Sequence, residues 1–99
     1  MQFLLRAYDG KDAQAMDRRM SARPAHLEYV KAFKEKGHLL IGGPLLNEAG
    51  EMCGSVMVLD FPSEVELNAW KEKEPYVTEG VWQEIHIEPM RVGDNFLKK

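Results

Sequence analysis

Cysteine is nearly absent. Cys53 stands alone among 99 residues, so no internal disulfide can form, and a reducing cytoplasm is the expected compartment. Long apolar runs are missing too. No stretch approaches the roughly 20 residues of a membrane-spanning helix. The opening Phe3-Leu4-Leu5 is cut by Arg6, which is too short for a signal-peptide core. There is no surplus of basic charge: 13 Lys and Arg stand against 16 Asp and Glu, for a net charge of -3. Both signs are interspersed, which argues against a nucleic-acid partner. No phosphate loop, CxxC pair, HExxH or Gly-x-Ser-x-Gly elbow occurs. His26, His38, His86 and Cys53 do not fall at a metal-ligand spacing, so no metal site is expected.

What remains is an ordinary globular composition, 44% hydrophobic and 29% charged, of the size of one domain. Residues 1–99 read as that single domain, with a polar tail over 91–99 whose one apolar anchor is Phe96-Leu97. A chain this short buries only about 60–65% of its unfolded surface. Its core is thin, and association with a second copy would add to stability.

Residues 2–8 alternate, with Phe3, Leu5 and Ala7 on one face and Leu4, Arg6 and Tyr8 on the other, the pattern of a strand. Asp9-Gly10 reads as a turn. Residues 11–20 are polar and fit either a short helix or an ordered loop. Arg18, Arg19 and Arg23 cluster there, either as a solvated face or as an anion-binding rim beside a pocket. Pro24 suits the first turn of a helix, and Gly37 suits the position just past its end. Taking His26 as zero at 100° per residue, Phe33 lies near -20°, Val30 near +40° and Tyr29 near -60°. Glu28, Lys31 and Glu35 fall on the far side. His26 therefore sits in the middle of the apolar stripe. It reads either as a core histidine satisfied by one hydrogen bond or as an acid or base facing an internal pocket.

A short strand over 38–41 is expected to break or bulge at Gly42-Gly43-Pro44. A turn at Asn47-Glu48-Ala49-Gly50 follows, then a strand over 53–61 with Ser55, Met57, Leu59 and Phe61 on one face. Ser63-Glu64-Val65-Glu66 is a capping box. It opens a helix that runs to about Lys73 and buries Val65, Ala69 and Trp70. Pro75 pushes Glu74 out of helical geometry, and residues 75–80 read as a connection carrying Tyr76. In the last strand, over 81–90, Val81, Ile85 and Ile87 oppose Trp82, Glu84, His86 and Glu88. Strand, helix, strand, strand, helix, strand is the α+β, ferredoxin-like βαββαβ order: four antiparallel strands with two helices on one face. The other face carries large side chains with nothing to cover them. The expected partner is a second copy packed sheet to sheet, a homodimer.

The residues left to carry chemistry are His26 and Glu74. A carboxylate near an imidazole fixes its tautomer and favours proton transfer near neutral pH. As a lone residue Glu74 reads first as an exposed acid at a helix end. The set Arg23-Pro24-x-His26, Gly43-Pro44, Gly54-Ser55, and Pro75-Tyr76-Val77 before Gly80-Val81 resembles the YciI-like (YCII-related) family from the first strand to about Met90. That resemblance implies a dimeric α+β barrel with a pocket near the dimer interface and a histidine–aspartate active site. His26 matches the family histidine. The acid of the family's Asp-Pro-Tyr motif is here Glu74 of Glu74-Pro75-Tyr76, a departure that adds one methylene, ~1.5 Å of reach. Ser55 also matches a family position, which fits either a substrate contact or a structural role at the start of its strand. Family members are linked to hydroxyquinones that lose HCl, and related barrels include cofactor-free isomerases and monooxygenases.

The resulting expectation is an enzyme, a lyase or isomerase without cofactor, acting on an aromatic or enolisable small molecule. His26 and Glu74 would be its catalytic residues. Arg23, Ser55 and Tyr76 would bind substrate, with an arginine among Arg6, Arg19 and Arg23 neutralising developing negative charge. The alternative is a non-catalytic ligand-binding or accessory module, which the aspartate-to-glutamate change favours.

Overall fold

Alternation in the first strand, β1 (Gln2–Asp9), persists one residue further than the turn signal suggests. Phe3, Leu5, Ala7 and Asp9 are all buried on one face. β1 is central. It pairs antiparallel with β3 (Met52–Asp60) on one side and β4 (Trp82–Met90) on the other, and β2 (Leu39–Leu46) completes the sheet in the order β2-β3-β1-β4. Helices α1 (Ala15–Glu35) and α2 (Glu64–Lys73) supply the two crossovers, giving the ferredoxin-like fold with both on one face. Two four-residue helices, α3 (Pro75–Thr78) and α4 (Asp94–Leu97), flank β4. The computed structural model describes residues 1–97. Among these, no helix is long and apolar enough to cross a membrane.

The core lies between the sheet and the helices. Phe3, Leu5, Met57, Leu59 and Phe61 face Trp70, Leu67 and Tyr76. Gly54 crosses β1 so closely that a Cβ would strike the Ala7 carbonyl oxygen. His38 is tied down structurally, with Nδ1 2.8 Å from the Asp60 carbonyl and its ring stacked on Phe61.

Several details correct the sequence reading. Arg23-Pro24-Ala25-His26 does not open a helix. α1 begins at Ala15, and Pro24 lies inside it. The stripe that anchors the early turns is Arg19, Ala22 and His26, and a buried arginine does not register as apolar. Pro24 and Met20 are exposed, so the Met20 carbonyl that loses its N–H donor at Pro24 meets water. β2 runs unbroken through Gly42-Gly43-Pro44, and its two irregularities fall on either side, at Leu39–Ile41 and at Leu45–Leu46. As an edge strand, β2 tolerates the missing N–H of Pro44.

Ser63 caps α2 as expected, its Oγ accepting from the Glu66 N–H at 3.3 Å, but the helix buries Leu67 and Trp70 while Val65 and Ala69 are exposed. Residues 75–78 form a helical turn, not a plain connection. A register shift at Tyr8/Asp9 skips Gln83 and pairs Trp82 with Asp9. That bulge turns Trp82 to the core face, away from Glu84, His86 and Glu88. In the tail, Phe96 is 84% exposed and anchors nothing; the rest of the expected tail, residues 98–99, lies outside the described residues.

Candidate active site

Pro75 builds the acid's position. It forces Glu74 into extended geometry (φ -66°, ψ 123°), ending α2, and then starts α3 as that helix's first residue. Glu74 becomes the N-cap of α3, and its Oε1 accepts from the Tyr76 N–H at 3.0 Å. The side chain is thereby folded back under α1, where no part of it is exposed. His26 reaches down from α1 to meet it. Nδ1 lies 2.8 Å from Oε1 and 2.9 Å from Oε2. The extra methylene of glutamate is taken up in the cap.

The imidazole is fixed on a second side by Tyr76, whose ring stacks on it at 3.7 Å between centroids and 8° between planes. Trp82 approaches edge-on at 6.1 Å. A carboxylate held against Nδ1 sets the tautomer with the proton on that nitrogen. Nε2 then carries the lone pair. It has no partner among the described residues and is not sealed from solvent.

His26 lines a cavity of about 410 Å³ between α1 and the β2 side of the sheet, together with Arg19, Arg23, Ser55, Met57 and Tyr76 among others. The cavity wall carries three cationic side chains, Arg19, Arg23 and Lys34, and no carboxylate. Arg19 is 3% exposed. Its Nη1 donates to both carboxylate oxygens of buried Asp9, at 2.9 and 3.0 Å, and its Nη2 donates to Ser55 Oγ at 3.1 Å. The Arg19 guanidinium lies 4.8 Å over the Tyr76 ring, and Trp82 Nε1 donates to the same Ser55 Oγ at 3.1 Å. Burial pushes the Tyr76 phenol above its ordinary value, against the opposing pull of Arg19 and Arg23.

The structure thus brings together His26, Glu74, Tyr76, Ser55, Arg19 and Arg23. It removes Arg6, which lies on the opposite sheet face and pairs with Glu88 at 3.1 Å. Arg18 is bound to Asp12 at 2.8 Å, which holds the Asp12 carboxyl down at about 2. Two site residues were missed. Asp9 was hidden in a turn signal, although β1's alternation pointed to it. Trp82 was hidden by the bulge, for which one sequence gives no signal.

Residues 1–91 match the YCII-related domain. The chain belongs to that family. It is 31% identical over 90 residues to Protein YciI of Escherichia coli O6:H1, covering 85% of this chain and 92% of that protein. Over 76 residues it is 38% identical to the derivative of benzaldehyde biosynthesis cluster protein C of Emericella nidulans, covering 70% and 78% of the two chains. Among solved structures, the 5-chloro-2-hydroxyhydroquinone dehydrochlorinase of Burkholderia phenoliruptrix, in complex with 2,5-dihydroxybenzoquinone, superposes with a TM-score of 0.80 at 24% identity, covering 96% of this chain and 98% of that one. That likeness establishes the fold.

Proposed function

We propose that this YCII-related protein is a cofactor-independent enzyme that moves one proton on a small aromatic or enolisable molecule, eliminating HCl from it or isomerising it. The observation that carries this reading is the setting of His26: Nδ1 tied to a buried carboxylate, the ring stacked on Tyr76, and Nε2 left without a partner among the described residues on a side chain that lines the cavity. In an elimination Nε2 takes the proton from a substrate carbon or hydroxyl. The electron pair left behind forms the new π bond, and chloride departs with the electrons of the C–Cl bond. Glu74 holds the ring and stabilises the imidazolium it becomes. Arg19 and Arg23 offset the negative charge that develops on the substrate, while Ser55 and Tyr76 position it. The dehydrochlorinase that shares the fold supports the class of chemistry. A non-catalytic binding module has no use for an imidazole oriented on three sides, and the 2.8 Å contact with Glu74 weighs against it.

The open sheet face supports a homodimer. Leu4, Tyr8, Val56 and Val58 lie on it, with Ile41 71% exposed at its edge. The cytoplasm is the proposed compartment, since Cys53 is free.

The test is chloride release and spectral change on chlorinated hydroxyquinones, followed by His26→Ala. The variant should lose on the order of 10²–10⁴ in rate. Unchanged turnover would overturn the assignment.

A further inference from the structure

Ser55 has one O–H to donate and two lone pairs to accept with. Both lone pairs are engaged, one by Arg19 Nη2 at 3.1 Å and one by Trp82 Nε1 at 3.1 Å. Neither donor can turn away. Arg19 is pinned by Asp9 from within the core, and Trp82 is 4% exposed and set edge-on against the stacked His26 and Tyr76 rings. Among the described residues the Ser55 hydroxyl proton finds no acceptor, and Ser55 lines the cavity.

We infer that Ser55 is a one-way donor: Trp82 and Arg19 fix its polarity so that this part of the cavity takes a ligand oxygen with lone pairs (a carbonyl, enolate or phenolate) and rejects a ligand N–H at the same place. Trp82 is then a positioning residue that acts through Ser55 and sets specificity without touching the ligand. The inference deepens the proposed function, because it names the group the substrate presents beside His26. It does not require that the bound molecule react.

Two uncharged one-ring probes separate the possibilities without help from Arg23 or Lys34: acetophenone, which offers a carbonyl acceptor, and aniline, which offers N–H donors. Their affinities are measured by ligand-observed NMR for the native protein and for Trp82→Phe. A donor facing a donor leaves buried polar groups unpaired, a penalty of about tenfold or more in affinity. The native protein should therefore prefer acetophenone by at least about tenfold. Trp82→Phe frees one Ser55 lone pair, and the preference should shrink towards unity.

Three results overturn the inference: equal affinities in the native protein, binding of neither probe, or a preference that survives Trp82→Phe while both affinities fall together, as a merely structural tryptophan requires. Where Trp82→Phe does not fold, Trp82→His, which retains a ring N–H, serves as the second variant and should keep the preference; its loss counts against the inference. The catalytic reading is judged separately. Probe selectivity without His26-dependent turnover sinks that reading alone, and turnover without selectivity sinks this one alone.

Discussion

Glu74 is the residue on which the site turns. It is fully buried and serves two donors, the Tyr76 N–H and His26 Nδ1. Glu74→Gln keeps the shape and an amide oxygen at Oε1 could still accept from both donors, but its NH2 then replaces Oε2 at 2.9 Å from His26 Nδ1, a donor against a donor, and the charge is lost. Activity should fall by on the order of 10²–10⁴, because the imidazole loses its enforced tautomer; kcat on any substrate found checks this, and a loss confined to KM contradicts it. Glu74→Ala should cost a further ~1–3 kcal/mol of stability through the unpaired Tyr76 N–H.

Tyr76 gives a pH signature. Burial raises its phenol, so the folded state holds that proton more tightly than the unfolded state does. The associated stability is present below about pH 10 and is lost as pH rises through the folded value. Tyr29 is raised for the same reason, so Tyr76→Phe should reduce the alkaline slope of urea-melt stability without abolishing it. An unchanged slope contradicts the assignment. The sequence made His26 legible, since apolar neighbours at helical spacing surround it. It could not show the contact with Glu74, because a side chain reaching back from an N-cap depends on where α1 and α2 meet in space. Resemblance named the acid's position, and only geometry could say whether the longer side chain fits there.

Among the elements, α1 and β4 departed most from the sequence. The stripe of α1 begins at Arg19, a residue that periodicity scores as polar; its burial depends on Asp9, a partner on another element. Pro24 consequently lies mid-helix on an exposed face. Pro24→Ala restores an N–H to the Met20 carbonyl and should stabilise the fold by ~1–3 kcal/mol, seen as a rise in Tm. No rise would mean that the proline has a packing role. In β4 the bulge at Gln83 is what delivers Trp82 to the site. Deleting Gln83 closes the bulge but leaves Trp82 directly before Glu84, so plain alternation keeps its ring on the core face opposite Asp9. The deletion variant should keep the blue-shifted emission of a buried indole, and a red shift would contradict this register. The two central strands and α2 were easier to read. Their alternation, the Ser63 cap and Pro75 are local signals, and local signals survive folding where no partner overrides them.

For the whole molecule, strand order and helix placement follow from the βαββαβ sequence of elements. The same topology leaves one sheet face without cover among the described residues. Light scattering at micromolar concentration should give twice the 11.3 kDa chain mass. Val58→Glu, which places a charge at the middle of that face, should return it to the monomer. A native monomer would contradict the homodimer. The helix-side cavity needs no residue from a second copy to bring His26, Glu74, Tyr76 and Ser55 together, so ligand binding should survive in the monomeric variant.

The central claim is that Glu74 holds His26 with its proton on Nδ1 and its lone pair on Nε2, facing the cavity. Long-range ¹H–¹⁵N NMR of the imidazole tests this without a substrate. At a pH where the ring is neutral, the account predicts a pyrrole-like Nδ1 and a pyridine-like Nε2 in the native protein, and loss of that single tautomer in Glu74→Ala. A native His26 with its proton on Nε2 would contradict it, since no base would then face the cavity.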